Sequence, residues 1–446
     1  MKPEPLHIVP HLTTALNGPL QHIESLFLKH QAGIERWLRG QWLETRAPFY
    51  ASVDLRNAGF KLAPVDTNLF PAGFNNLNPA FLPLCIHAIQ SAIEHTCPRA
   101  ARVLLVPESH TRNPFYLESL ATLRDIILKA GFEVRIGSLL PNLESPSDII
   151  LASGRKLRLE PIVRDGDTVS VAGFTPCMVL LNNDLSEGVP AMLEGLEQPV
   201  VPPLAMGWSS RLKSQHFEQY RQVVMEFAEL VDIDPWLIDP YFRQCGEINF
   251  MKREGEDCLA KNVDALLTTI QHKYDEYGLD KRPFVVVKAD AGTYGMGIMS
   301  VYSSEQVREL NRKQRTRMAA SKGGQAVTQV ILQEGVYTFE NWGVEEAVAE
   351  PVVYMIDHYV VGGFYRVHKN RGVDENLNAP GMHFEPLAFA QPCNAPDTGL
   401  APDADPNRFY AYGVIARLAL VAAARELAAV GPNSFGQAAN KFAPTT

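Results

Sequence analysis

The stretch FVVVKADAGTYGMGIMSV, residues 284–301, limits what this chain can fold into more than any other. Phe284 to Val287 is an apolar, β-branched run that predicts a buried strand, and it delivers Lys288 at its end. A glycine-rich turn follows, with Gly292, Gly295 and Gly297, and then a second apolar run from Ile298 to Val301. Phosphate loops that open a helix depend on that helix, because its N-terminus supplies N–H groups and partial positive charge to the anion. Here the second run is too short and too β-rich, and no Gly-Lys-Ser/Thr closes the loop. What remains is strand, glycine hairpin, strand. Glycine's φ freedom lets such a hairpin bring backbone N–H groups onto phosphate oxygens from above, with a lysine on the strand beneath. A plain surface hairpin shares the same local pattern, so the neighbouring segments decide.

Val330 to Val336 reads as another buried strand and carries Gln333 and Glu334 near its end. Pro351 to Tyr365 reads as two strands joined at Asp357-His358, the second running into Arg366, His368, Lys369 and Arg371. This order of lysine strand, glycine hairpin, Gln-Glu strand and arginine hairpin resembles the ATP-grasp ligases. The resemblance implies an α/β (α+β) fold in which two β-rich subdomains hold ATP between them, with adenine along the Gln333-Glu334 strand and lysines on the phosphates.

A chain of 446 residues with 46% hydrophobic content can bury a large core, and its length suggests two to three domains. A formal charge of -9 argues against nucleic acid as the main partner, since phosphate-backbone binding needs a concentrated positive face. The Arg366 to Arg371 cluster is basic enough for ATP and reads equally as a solvated loop. Six scattered cysteines, with no Cys-x-x-Cys, read as reduced core residues. No signal peptide shows in the first ten residues. The most apolar helical stretch, Leu418 to Ala424, is short and flanked by Arg417 and Arg425. The expectation is a cytoplasmic protein with no membrane partner.

Residues 20–44 have apolar positions at helical spacing and predict one or two amphipathic helices with a break near Gly33. Residues 50–77, YASVDLRNAGFKLAPVDTNLFPAGFNNL, instead interleave polar groups with Phe and Pro, which suits the lining of a site better than a core. Asp66 and Asn68 lie two apart, so on an extended strand their oxygens share one face and could serve a hard cation. An Asx-turn ahead of Pro71 would use the same residues. From Leu82 to Leu185 helices and strands alternate, which predicts an additional parallel α/β layer. Met178 to Leu181 ends there at Asn182, Asn183 and Asp184, which read as substrate contacts or as ordinary turn residues. A Pro-rich connector then leads to Lys213, near an expected N-cap at Ser209 or Ser210. Asn262 to Tyr277 and Arg408 to Val430 read as helices, and 431–446 as a disordered tail. The expected divisions are 1–100 (helices and acid-x-Asn segment), 101–200 (α/β), 201–283 (helical connector), 284–430 (nucleotide-binding region) and the tail.

ATP-grasp enzymes usually carry a Glu-x-Asn metal motif near the C-terminus, and nothing beyond Arg417 matches it. Asp66-Thr67-Asn68, followed by 70–77 (FPAGFNNL), looks like the N-terminal placement of that motif in circularly permuted, eukaryotic-type glutathione synthetases, with Asp where those have Glu. DLRNAGFKLAPVDTNLFPAGFNNL together with ENLNAPGMHFEPLA is similar, over nearly the whole chain, to the proteobacterial glutamate-cysteine ligase family first recognised in iron-oxidising bacteria. That resemblance implies ATP- and Mg²⁺-dependent joining of the glutamate γ-carboxylate to the cysteine amine. It also implies residue roles. Lys288 and Arg366 would be catalytic. Lys213, Lys288, Gly292, Gly295, Gly297, Gln333, Glu334, Asn376 and Asn378 would bind ATP. Arg56, Asn75, Asn76 and Arg366 would bind substrate, and Asp66, Asn68 and Asp290 would bind the metal. Glu334, Glu345, Glu346 and Glu350 compete with Asp290 for the further metal position. The expected partners are glutamate, cysteine and ATP, and a homo-oligomer stays open. Two rivals stand beside this reading: another carboxylate-amine ligase such as a glutathione synthetase, and a nucleotide-binding scaffold without turnover.

Overall fold

The structure is a computed structural model, and it describes residues 19–109, 113–292, 297–319, 326–343, 346–386 and 408–431. The fold is mixed α/β, with a six-stranded antiparallel sheet, a four-stranded antiparallel sheet and a six-stranded, mostly parallel sheet. No helix among the described residues is long and apolar enough to cross a membrane.

The six-stranded antiparallel sheet joins distant parts of the chain. The hairpin of Tyr50–Asn57 and Leu62–Asn68 pairs laterally with the hairpin of Ala347–Ile356 and Tyr359–His368, and His383–Pro386 and Glu340–Trp342 extend it. The register sets Asp54 opposite both Val352 and Asp66, and Glu350 opposite Arg366. Strand alternation then sorts the side chains. Ala51, Val53, Leu55, Val353 and Met355 share the core with helix Arg408–Val430. That helix is apolar nearly all round, the pattern of a helix enclosed by protein. The opposite face has two ends. Tyr50, Val352, Tyr354, Ile356 and Phe364 form an apolar end, in one core with helices Leu82–Thr96 and Pro114–Lys129. Asp54, Arg56, Glu350 and Arg366 form a charged end that opens into a cleft.

The four-stranded sheet runs Phe242–Cys245, Val330–Glu334, Val285–Ala289, Ile298–Val301. Helix Glu256–Glu276 packs against it. The third sheet is the parallel α/β layer expected from alternation, with Ser147–Ile150 as an antiparallel edge. Its strand Met178–Asn182 is buried at every position, which is why it reads as a continuous apolar run.

Three local expectations shift. The first two helices are Pro19–Lys29 and Gln31–Glu44, so the break falls at His30, while Gly33 sits in the following turn with open space around it. Helix Glu256–Glu276 starts earlier than its apolar pattern, because Gly255 at φ 76° admits the chain and Glu256 and Asp257 suit the positive first turn. The helix expected from Ser209 or Ser210 begins instead at Lys213. Its cap comes from elsewhere: Asp290 accepts from the Ser214 backbone N–H (2.8 Å) and hydroxyl (2.7 Å), and the Asp290 carbonyl accepts from the Lys213 N–H at 2.9 Å. A cap supplied across 76 positions leaves no local signal. One glycine is fixed by contact. A Cβ on Gly335 would lie 2.2 Å from the Phe284 ring, so only glycine lets the Gln-Glu strand leave past the lysine strand.

Candidate active site

A cleft of about 920 Å³, counting the space at its open mouth, lies between the two antiparallel sheets. Val286, Lys288 and Gln333 line one wall, and Asp54, Arg56, Asp66, Glu350 and Arg366 the other. Residues 374–376 and 378 close one side, and Lys213 with Gly292 another.

Lys288 is 7% exposed, and its Nζ donates to the Val65 carbonyl (2.7 Å) and to Gln333 Oε1 (2.5 Å). Burial lowers its pKa to about 8; Lys213 and Arg56 push the same way, against Asp66 and Asp54. Gln333 is 1% exposed and its buried Nε2 has no hydrogen-bond partner among the described residues. A buried orphan donor is costly, and a ligand oxygen or ring nitrogen in the cleft would satisfy it.

Glu334 lines the cleft, but its side chain is engaged with the protein. Its carboxylate pairs with Lys61 (2.9 Å) and accepts from the Trp236 indole N–H (3.1 Å) and the Tyr241 backbone N–H (3.0 Å). Adjacent strand residues face opposite ways, so Gln333 and Glu334 cannot both enter the cleft. Both members of this ion pair are 1% exposed at their side chains. Lys61→Met should therefore cost about 3–5 kcal/mol of stability by stranding a buried carboxylate. A denaturant titration measures it, and adding Glu334→Gln should recover part of the loss.

Lys213 rests on Trp208. Its Nζ lies 4.1 Å from the ring centroid and donates to the Gly292 carbonyl at 2.5 Å. Burial lowers its pKa, against the raising influence of Asp66 and Asp290. Trp208 also reaches the acid strand, its indole N–H donating to Asn68 Oδ1 at 3.3 Å, while its carbonyl accepts from the Gly292 N–H at 3.0 Å. One ring thus ties together the lysine, the base of the glycine hairpin and the acid-x-Asn strand. With the ATP that the sequence leads one to expect, Trp208→Leu should raise KM about tenfold, within the reach of a desolvated cation–π contact, with kcat changed less. A steady-state ATP titration reads that split.

The acid-x-Asn pair divides. Asp66 lines the cleft and its carboxylate accepts no hydrogen bond from the described residues. Asn68 is absent from the lining: its Oδ1 accepts from Phe70 N–H (2.9 Å) as well as from Trp208, so the Asx-turn is what it makes. Asp290 is 0% exposed, and both its oxygens are taken, by Ser214 and by Gln244 Nε2 at 2.8 Å. The structure gives Asp290 a capping job in place of the expected metal contact. Asp54 faces Asp66 across the strand pair, a residue sequence reasoning noticed only as part of a polar stretch. Among the described residues no group of three or more His, Cys, Asp or Glu is arranged to hold a metal ion. Mg²⁺ needs less, one or two carboxylates with substrate phosphates and water, and the facing pair Asp54 and Asp66 fits that donor set. Of the other competitors, Glu346 lies exposed in a turn at φ 49° and Glu345 is outside the described residues.

Glu350 organises the arginines. At 3% side-chain exposure it pairs with Arg56 Nε (3.1 Å) and with Arg366, which also bonds Asp54 at 2.9 Å. Arg56 spends its remaining donors on backbone: the Val336 carbonyl (3.1 Å) and, through the 372–378 loop, Val373 (3.5 Å) and Glu375 (2.5 Å). It is a clamp on that loop, with little left for a substrate carboxylate. Arg366 keeps a buried Nε without a partner among the described residues and is the arginine with capacity for a ligand. Burial raises the pKa of Asp54, with Glu350 and Asp66 adding to the rise and Arg366 opposing it.

Asn376 and Asn378 line the cleft, and Asn376 Oδ1 accepts from the Asn378 N–H at 2.9 Å. Gly297 sits at φ 65° beside the lining residue Ile298. Gly295 lies outside the described residues, as does the expected tail from 432 on. Asn75 and Asn76 stand apart from the cleft, in a short 3-10 turn whose entry, Gly73, donates to Ser119 Oγ at 2.7 Å.

The model of the glutamate-cysteine ligase family matches residues 24–427. A solved structure from Methylobacillus flagellatus KT, provisionally named a gamma-glutamylcysteine synthetase, is 60% identical, with a TM-score of 0.87 over 95% of this chain and 99% of that one. A glutathione synthetase-like effector from Globodera pallida shows 10% identity and a TM-score of 0.37, over 78% of this chain and 77% of that one. D-alanyl-alanine synthetase A from Vibrio cholerae O1 biovar eltor shows 12% and 0.32, over 71% and 81%. No curated protein matches.

Proposed function

Because this chain belongs to the glutamate-cysteine ligase family, we infer that it is an ATP-dependent ligase joining glutamate to cysteine, and we propose that the cleft between the antiparallel sheets is where it does so. The observation that carries the placement is the meeting of Lys288, Lys213, Asp66 and Arg366 in one cleft. A carboxylate reacts poorly with an amine because its leaving group would be oxide, and ATP supplies a better one. The glutamate γ-carboxylate attacks the γ-phosphorus and ADP departs. The cysteine amine then attacks the acyl carbon, loses a proton and expels phosphate.

The protein's part is positioning and charge neutralisation. Lys288 and Lys213 leave their backbone carbonyls for phosphate oxygens. Gln333 Nε2 and the 376–378 turn complete the nucleotide's surroundings. Arg366 turns its free donors to the carboxylate or to the acyl phosphate that replaces it. Asp66 and Asp54 would hold Mg²⁺, which when bound offsets the charge of the phosphates. In this reading Glu350 and Arg56 position, since each is engaged with protein. The reaction belongs in the cytoplasm, where cysteine is reduced.

The test is phosphate release from ATP and Mg²⁺ with each amino acid alone and with both, and the product identified by mass. Release that needs both and yields γ-glutamylcysteine is the expected result. Release only with γ-glutamylcysteine and glycine would sink the substrate assignment, and silence with every pair in folded protein would sink the ligase reading.

A further inference from the structure

We infer that Cys245 and Cys258 form a redox-active dithiol that closes to a disulfide by exchange with a small-molecule disulfide, and that the closed form binds ATP more weakly. The two sulfurs lie 4.0 Å apart, one at the end of strand Phe242–Cys245 and the other in the first turn of helix Glu256–Glu276. A disulfide needs about 2.05 Å, so side-chain rotation and a small slide of helix against strand bring them to bonding distance. Asn262, one turn further along the helix, aims its Nδ2 at both sulfurs, at 3.2 Å and 3.5 Å.

Exposure divides the work. Cys258 is exposed, whereas Cys245 is 2% exposed. Burial pushes the Cys245 thiol up to about 12, with Cys258 beside it adding to the rise. The accessible Cys258 therefore attacks first, giving up its proton to water as it forms a mixed disulfide and releases one thiolate. The Cys245 sulfur then attacks the Cys258 sulfur and expels the second thiolate, which carries away the Cys245 proton. Two protein thiols and one small disulfide become one protein disulfide and two small thiols. The oxidant is named by chemical class, the disulfide of a cysteine-like thiol. Choosing cystine rests on the proposed use of cysteine as a substrate.

The route to the nucleotide is short. Gln244, the neighbour of Cys245, donates to Asp290 at 2.8 Å, and Asp290 caps the helix that presents Lys213. Drawing Cys245 toward the helix displaces Gln244 and loosens that cap. The phosphate lysine is then held less firmly.

Reduced full-length protein incubated with cystine should lose two hydrogens by intact mass and yield a linked pair of peptides containing 245 and 258. Calorimetric titration should show Kd for ATP raised about fivefold, the lower end of ordinary site-to-site coupling, and restored by dithiothreitol. Cys258→Ser should show neither change, and Cys245→Ser should keep a stable cysteinyl adduct at Cys258. Absence of the linked peptides overturns the dithiol, and linked peptides with unchanged ATP binding overturn its effect on the site. Reduced protein that binds no ATP would count against the ligase reading, while the mass measurement would still decide the pair.

Discussion

Lys288→Met should lower kcat/KM for ATP about a thousandfold, the scale of removing one well-placed charged donor from a dry site. It should do so without unfolding the protein. Among the described residues Lys288 makes no ion pair, only bonds to a carbonyl and to Gln333, so methionine of similar length removes a buried charge and leaves the strand packed. The wild type carries a pH signature of the same residue. With the pKa at about 8 in the folded form against 10.5 for an ordinary lysine, the unfolded chain binds more protons between those values. Stability contributed by this group therefore rises with pH across that window, while ATP affinity falls as the ammonium is lost. Thermal melts and ATP titrations from pH 7 to about 9.5 should show these opposed trends attributable to Lys288. The Met variant should lose both components.

Arg366→Met should cost both chemistry and fold. Its free donors are the ones available to the substrate carboxylate, and kcat should fall by about two to three orders of magnitude. Its paired donor neutralises Asp54 and Glu350, and removing it leaves two acids close together, one buried and one half-buried. The expected loss is about 3 kcal/mol in a denaturant titration. Asp54 already has a raised pKa through burial, so it protonates readily once its counter-charge is gone. The deficit should shrink as pH falls, because a neutral Asp54 needs no arginine. Adding Glu350→Gln should restore stability and leave kcat low, which separates the two jobs. Recovery of kcat in that double variant would contradict the placement of Arg366 against the substrate.

The legible parts of this molecule were those whose cause is local. The lysine strand, the paired strands around Asp357-His358 and the helix Arg408–Val430 each declare themselves through apolar runs and turn residues. Gln333 and Glu334 show the limit: the sequence places both on one strand, and only the sheet's register decides which faces the cleft. Asp66 and Asn68 share a spacing that suits a metal, yet a turn ahead of Pro71 claims the asparagine. Asp290 looks like a ligand from its place after the lysine strand, and its partners, Ser214 and Gln244, are 76 and 46 positions away. Glu350 and Asp54 were harder still. Each is a single acid in an apolar strand, and its meaning comes from arginines on other strands.

The lateral pairing of the two hairpins has a consequence for the newborn chain. During synthesis the strands 50–68 leave the ribosome almost three hundred residues before the strand that flanks them, as the pairing of Tyr50 with Ile356 requires. Until then one edge of that hairpin, with its row of unpaired amides and carbonyls, has no neighbour. So long a separation makes for slow assembly, because the loop between must close before the contacts repay it. A fragment ending before residue 347 would own both lysines and neither Glu350 nor Arg366, and could at most hold a nucleotide. Rearranging the gene so that 347–368 directly precedes 50–68 would turn the slowest joint of the protein into a local one.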